Sequence, residues 1–178
     1  MIKNNRGFTL LELVVTICLI AIIAGFAIPS LTNAVPGIAL KSAANDLVSD
    51  MRLARAMAVK NQELVTMSFN TVTGSYQIAS ITFNKTVTLS DYRGGITFGG
   101  GMATKAASTG AAPFPGGYDF VSFQFNNVNF KRNGMCTRTG YAYLCNGNSD
   151  KAYAAGLTST AGVVSFKKTD GTDLWITL

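Results

Sequence analysis

Hydrophobic and polar positions divide the chain into three stretches. The first begins after a short polar leader, residues 1–7, that carries Lys3 and Arg6 and no acid. Beyond Glu12 there is no charged residue until Lys41. Apolar residues fall on every side of a helix drawn through this run, the pattern of a segment buried all round in a core or a bilayer. Leu13 to Pro29 is close to the minimum length that spans a membrane, and counting on to Leu31 gives a comfortable span. In the second stretch Leu40, Ala44, Leu47, Met51, Ala54 and Ala58 recur at alternating four- and three-residue spacing. That spacing predicts an amphipathic helix with one apolar face. Lys41, Asn45, Asp46, Arg52, Arg55 and Lys60 fall elsewhere on it. Pro29 and Pro36 each remove a backbone donor, so bends are expected there, with Pro29 as a candidate kink.

After Lys60 the period changes to two. Strands are predicted at Leu64–Phe69, Tyr76–Phe83, Thr86–Leu89, Gly95–Phe98, Phe120–Phe130, Gly140–Cys145, Gly162–Lys168 and Leu174–Thr177. Val121-Ser122-Phe123-Gln124-Phe125 alternates cleanly, and Asn126-Asn127 then shifts the parity, which predicts a bulge. Asp170-Gly171 marks a hairpin. Residues 93–117 are rich in glycine and alanine and contain no acid, so they read as a flexible loop. That loop is either a partner contact or a tolerated insertion. The expected fold class is α+β: a long N-terminal stem helix packed on one C-terminal antiparallel β-sheet domain.

Composition narrows the chemistry. The 178 residues include no histidine, which removes the commonest general base and metal ligand. The nine acids are scattered, with no close carboxylate pair, no G-x-S-x-G elbow and no phosphate loop at Gly99-Gly100-Gly101. The expectation is a non-catalytic chain without cofactor or metal. Asp170 and Asp173, with Asp150 distant in sequence, are the only set with any bearing on calcium, and Asp170-Gly171 already has a turn explanation. The formal net charge is +6. Lys131, Arg132 and Arg138 form a local basic run, a candidate contact for nucleic-acid phosphates; the alternative is a solvated surface.

Glu12 stands between the basic leader and the apolar run, where an ordinary signal peptide has no acid. An ionisable residue at the head of a membrane-length segment is a functional residue by default. Here the sequence Gly7-Phe8-Thr9-Leu10-Leu11-Glu12, with Pro29 downstream, resembles type IV pilins and the pseudopilins of type II secretion. Met51-Arg52-Leu53-Ala54-Arg55-Ala56-Met57-Ala58 resembles the Leu-x-x-Ala-Arg-x-x-Ala stem of the GspH/FimT minor subunits. Phe130-Lys131-Arg132-Asn133-Gly134 and the closing Gly162–Lys168 look like the Phe-x-x-x-Gly turn and final strands of that group.

The resemblance implies that a prepilin peptidase cuts after Gly7 and methylates the new N-terminus at Phe8. It also implies that Glu12 pairs with the Phe8 amine of a neighbouring subunit. The expected divisions are 1–7 leader, 8–35 transmembrane and assembly helix, 36–60 amphipathic helix and 61–178 periplasmic domain. The implied location is a single pass through the bacterial inner membrane. Implied partners are other pilins or pseudopilins in a helical filament and the inner-membrane assembly platform. The implied function is that of a minor pseudopilin, a structural subunit of the type II secretion pseudopilus; the alternative is a type IV pilus minor pilin of the FimT/FimU kind, in pilus assembly or DNA uptake. Some FimT-type subunits bind DNA through a Gly-Arg-x-Arg-type tail, which Gly171–Leu178 lacks. In an oxidising periplasm Cys136 and Cys145 are a candidate disulfide, the alternative being two thiols. Cys18, in the apolar run, reads as a small buried hydrophobe.

Overall fold

A computed structural model describes residues 8–107, 113–114, 119–171 and 173–178; in the helix, the side chains of residues 26–33 lie outside that description. Gly7 and the rest of the leader, and parts of the segment 93–117, are likewise outside it. The chain forms two compact units, Met1–Val35 and Pro36–Leu178. One helix, α1 (Leu10–Lys60), belongs to both.

In the first unit Thr9 caps the helix. Its Oγ1 accepts the Glu12 amide at 3.2 Å, and the Leu13 amide closes onto the Thr9 carbonyl at 3.1 Å. Thr-x-x-Glu is the spacing of a capping box, and a carboxylate in the first turn also complements the helix dipole. The large apolar side chains described here, from Phe8 to Ile23, are all exposed.

In the second unit the apolar stripe of α1 is covered. Leu40, Ala44, Leu47, Met51, Ala54 and Ala58 are all buried, and Ala43 and Val48 widen the stripe. Nine strands follow: β1 (Val65–Asn70), β2 (Ser75–Ala79), β3 (Asn84–Thr88), β4 (Thr97–Phe98), β5 (Asn127–Phe130), β6 (Gly140–Cys145), β7 (Ala152–Leu157), β8 (Val164–Thr169) and β9 (Ile176–Thr177). The expected antiparallel β domain is made of two sheets, β3-β2-β1-β5 and β4-β6-β7-β8-β9. A single core joins them to the helix stripe. Val65, Met67, Ile78, Val128 and Phe130 of the first sheet and Ala142, Leu144, Ala155 and Leu157 of the second share it.

Three differences from the sequence pattern have local causes. The pattern missed β7, the central strand of its sheet. Ala152-Tyr153-Ala154-Ala155-Gly156-Leu157 is nearly all buried, so it does not alternate, and it is built of residues with low strand preference. Small residues are needed there: a Cβ on Gly156 would lie 2.1 Å from the Gly140 carbonyl oxygen. The long strand expected at Phe120–Phe130 breaks into a 3-10 turn at Gln124–Asn126, with Phe125 and Asn126 at positive φ, before β5 resumes. The parity shift marked that break.

The segment expected to be a flexible loop is, in its described part, packed down. Ala103 and Ala107 are buried, and the Ala107 amide donates to the Tyr143 hydroxyl at 2.9 Å. Lys167 Nζ donates to the Ala107 carbonyl at 2.6 Å. The hairpin at Asp170-Gly171 joins β8 to β9 as expected, pairing Lys168 with Ile176.

Burial of the stripe sets a stability expectation. Truncating Leu47 to alanine removes transfer energy and leaves a cavity, at a cost of about 2–5 kcal/mol. The same change at Leu53, 39% exposed on the opposite side of the stripe, costs less than about 1 kcal/mol. Urea melts of the two variants compared with the parent chain check this difference.

Candidate assembly site

The residues that the sequence singled out occupy separate places. Phe8 and Glu12 lie at the head of α1, both exposed, with Glu12 held in the first turn by the Thr9 cap. Gly7 lies outside the described residues. At Pro29 the backbone remains helical, within the unbroken Leu10–Lys60 span. Among the described residues no helix is long and apolar enough to cross a membrane; the described side chains of this run stop at Gly25.

Further along α1 two acids accept tyrosine hydroxyls, and one of them, Asp50, faces the first sheet. Asp50 is 4% exposed, although it lies within the apolar stripe. Tyr76 of β2 donates its hydroxyl to Asp50 Oδ2 at 2.8 Å, and Lys85 of β3 donates to both carboxylate oxygens at 2.6 and 2.8 Å. One turn earlier Asp46 accepts the Tyr92 hydroxyl at 2.7 Å. The carboxylate of Asp50 is thus desolvated but fully engaged, the condition under which a buried charge is tolerated. Burial first, and then the neighbouring Asp50, push the Tyr76 phenol far above the usual tyrosine range. Burial and the hydrogen bond to Asp46 do the same for Tyr92. Sequence reasoning missed this cluster. The available signal was a lone acid three residues after Leu47 and four before Ala54, inside an apolar stripe.

Arg55 ties the helix to two turns of the domain. Its Nε donates to the Gly134 carbonyl at 3.0 Å and its Nη2 to the Ala161 carbonyl at 3.2 Å. Gly162, beside Ala161, has a φ of 74°, and a Cβ there would come 2.3 Å from the Gly134 oxygen. The arginine of the stem pattern, the glycine of the Phe-x-x-x-Gly turn and the glycine opening the last strands therefore meet at one point.

The basic run does not act as a unit. Arg138 is half-buried, hydrogen-bonded to the Asn127 side chain and stacked over Phe125 at 5.4 Å. Lys131 and Arg132 are exposed in the turn that ends at Gly134.

The expected Cys136–Cys145 bond is not formed; both are free buried thiols, and Cys18 is free but exposed rather than buried. Topology keeps Cys136 and Cys145 apart. The Cys136 amide donates to the Thr160 carbonyl and its thiol to the Ser159 carbonyl, past the Leu157 end of β7. Cys145 pairs with Ala152 at the other end of that strand. An extended strand of this length separates them by roughly 17 Å at 3.3 Å per residue, whereas a disulfide needs Cα atoms within about 7 Å.

Each of the three acids weighed for calcium has a partner of its own. Asp173 accepts the Thr104 and Lys105 amides and the Thr104 hydroxyl, and these bonds, the Thr104 amide foremost, hold its carboxyl below the usual range. Asp150 accepts from the side-chain amide of Asn146, and Asp170 lies 3.7 Å from Lys168. Among the described residues no group of three or more metal-ligating side chains is brought together.

A capped apolar helix continuing into an amphipathic half that packs on antiparallel sheets defines a pilin-type subunit, a structural class of protein. The family model of the type II transport protein GspH matches residues 43–162, and that of the prokaryotic N-terminal methylation motif matches residues 2–28. The chain belongs to the GspH family and carries the prepilin methylation motif. Comparisons with curated proteins and with solved structures return no match.

Two outcomes follow from the Asp50 cluster. Asp50→Ala leaves the buried Tyr76 hydroxyl without its acceptor and destabilises the chain by about 1–3 kcal/mol, while Asp50→Asn keeps an acceptor and loses less; urea melts at neutral pH separate them. The raised phenols predict alkaline behaviour. A group whose folded pKa exceeds its unfolded value contributes fully below the unfolded value, about 10 for tyrosine. Stability therefore falls as pH rises above about 10, because the unfolded chain releases protons that the folded chain keeps. In melts taken across this range, Tyr76→Phe shows a shallower alkaline decline.

Proposed function

We propose that this chain is a minor pseudopilin, a structural subunit of the type II secretion pseudopilus. The observation that carries the reading is the first half of α1. Its large apolar side chains described from Phe8 to Ile23 are all exposed, with Glu12 the only acidic or basic residue among the helical residues described there. A helix with no polar face gains nothing from water, so its partners are lipid and other helices of the same kind. Cutting after Gly7 places a charged amine on Phe8, less than one helical turn from Glu12. Each charge is costly in hydrocarbon, and the amine of one subunit with the carboxylate of the next offsets both costs. That pairing sets the axial stagger between subunits, and Pro29 supplies a bend in the stem.

In this reading Lys3 and Arg6 hold the leader in the cytoplasm and residues 36–178 face the periplasm, following the positive-inside rule. The prepilin peptidase, sister pseudopilins and an inner-membrane assembly platform are its partners. The chain carries structure rather than catalysis, consistent with its family and the dispersed acids. A type IV pilus minor pilin of the FimT/FimU kind is the second reading, because the methylation motif serves both machines. Its DNA-uptake form is the less favoured, since Arg138 is engaged with Asn127 and Phe125 rather than offered beside Lys131 and Arg132.

Mass spectrometry of the chain isolated from membranes is expected to show loss of residues 1–7 and one added methyl group on Phe8. Glu12→Gln is expected to keep this processing but to abolish co-purification with sister subunits. Normal co-purification of Glu12→Gln would overturn the pairing, and an intact leader would overturn the assignment to this class.

A further inference from the structure

Beside the stripe buried in the core, α1 carries a second stripe: Arg52, Arg55, Ala56, Val59 and Lys60. These positions follow the i, i+3, i+4, i+7, i+8 spacing of one helix face. Together with Asn133, Gly134, Val163 and Val164 they line an open groove of about 670 Å³. Three of the lining residues are cationic and none is acidic.

Arg55 is committed to the groove wall through the Gly134 and Ala161 carbonyls. Arg52 and Lys60 are exposed, and their side chains make no hydrogen bond or ion pair to any described residue. Between them lie aliphatic side chains that are open to solvent, Val163 at 54% and Val59 at 44%. The wall is fixed before anything binds, because Arg55 holds both turns and Gly162 packs against Gly134. A preformed site loses less entropy on binding. The nearest acids along the chain on either side, Asp50 and Glu63, are both buried and engaged, Asp50 by Tyr76 and Lys85 and Glu63 by Thr82 and Asn61, so neither offers the groove a neutralising charge.

We propose that this groove docks an acidic, aliphatic peptide segment of another protein. Carboxylates would meet Arg52 and Lys60 while a leucine- or valine-like side chain covers Val59 and Val163. A second copy of the same surface is disfavoured, because like charges would face each other. A nucleic acid strand is disfavoured for a different reason. Its bases seek aromatic platforms, and no aromatic ring lines the groove. The docking concerns residues 52–60 and 133–164 only, and does not depend on cleavage at Gly7 or on Glu12, both of which are read separately.

The test uses the full chain in a neutral detergent and a fluorescent peptide with a leucine pair flanked by glutamates. Fluorescence polarisation is expected to show binding that weakens with added salt, and a glutamine twin of the peptide is expected not to bind. Arg52→Gln combined with Lys60→Gln should weaken binding by about tenfold or more, and Val163→Ser by about threefold, both at unchanged melting temperature. Lys131→Gln with Arg132→Gln, beyond the groove, should leave binding as it is. Equal binding of the glutamate and glutamine peptides overturns the proposal, as does full binding by the Arg52/Lys60 variant. An equal loss in the Lys131/Arg132 variant also overturns it, by showing general charge attraction. Tighter binding of an oligothymidylate, lost on the same Arg52/Lys60 change, overturns it in favour of a phosphate site.

Discussion

The domain depends on one apolar stripe, Leu40 to Ala58, that water does not accept. Its small and large residues alternate so that two sheets close on one helix: alanines at 43, 44, 54 and 58 admit the strands, and Leu40, Leu47 and Met51 fill the space between them. Fully burying side chains of this size stabilises by about 1.5–3 kcal/mol each. Without the helix, both sheets would expose their inner faces, so neither is an independent element. Asp50 interrupts the stripe, yet it strengthens the specification of the fold. A carboxylate that must find Tyr76 and Lys85 tolerates one register of the helix over the first sheet, whereas leucine would accept several.

The upper and lower parts of α1 obey the same rule with different results. In residues 40–58 the apolar face has protein against it, while in residues 8–23 every large apolar side chain is open. A chain that leaves so much hydrocarbon uncovered is an incomplete structure, and membership of a pilin-type family accounts for what completes it. The Thr9–Glu12 cap adds a second use for the same residues. It satisfies the Glu12 amide, one of the first amides that a helix leaves without an internal partner. Thr9 and Glu12 therefore form a helix start inside the matched methylation motif.

Arg55 shows how pieces distant in sequence become one feature. It lies next to the core stripe and reaches carbonyls 79 and 106 residues away. Those two bonds place the Gly134 turn and the Gly162 turn side by side and create the wall of the basic groove. The rest of that wall is aliphatic and exposed, so structural support and a surface for docking come from one arrangement.

Local and periodic features were legible in the sequence. The methylation hexapeptide is read residue by residue, the helix stripe by its spacing, and the β8–β9 hairpin by Asp170-Gly171. Each depends on neighbours within a few residues, so the chain itself contains the information. What the sequence did not disclose depends on long-range packing. Strand β7 is nearly all buried and made of small residues, so neither alternation nor strand preference marks it. The division into two sheets, the descent of Ala107 onto the second sheet, and the partners of Asp50 arise from contacts tens of residues apart. The separation of Cys136 from Cys145 belongs to the same group. Nine positions apart they suggest a bridge, but the extended β6–β7 pair holds them at opposite ends, because a strand transmits distance that sequence spacing does not show.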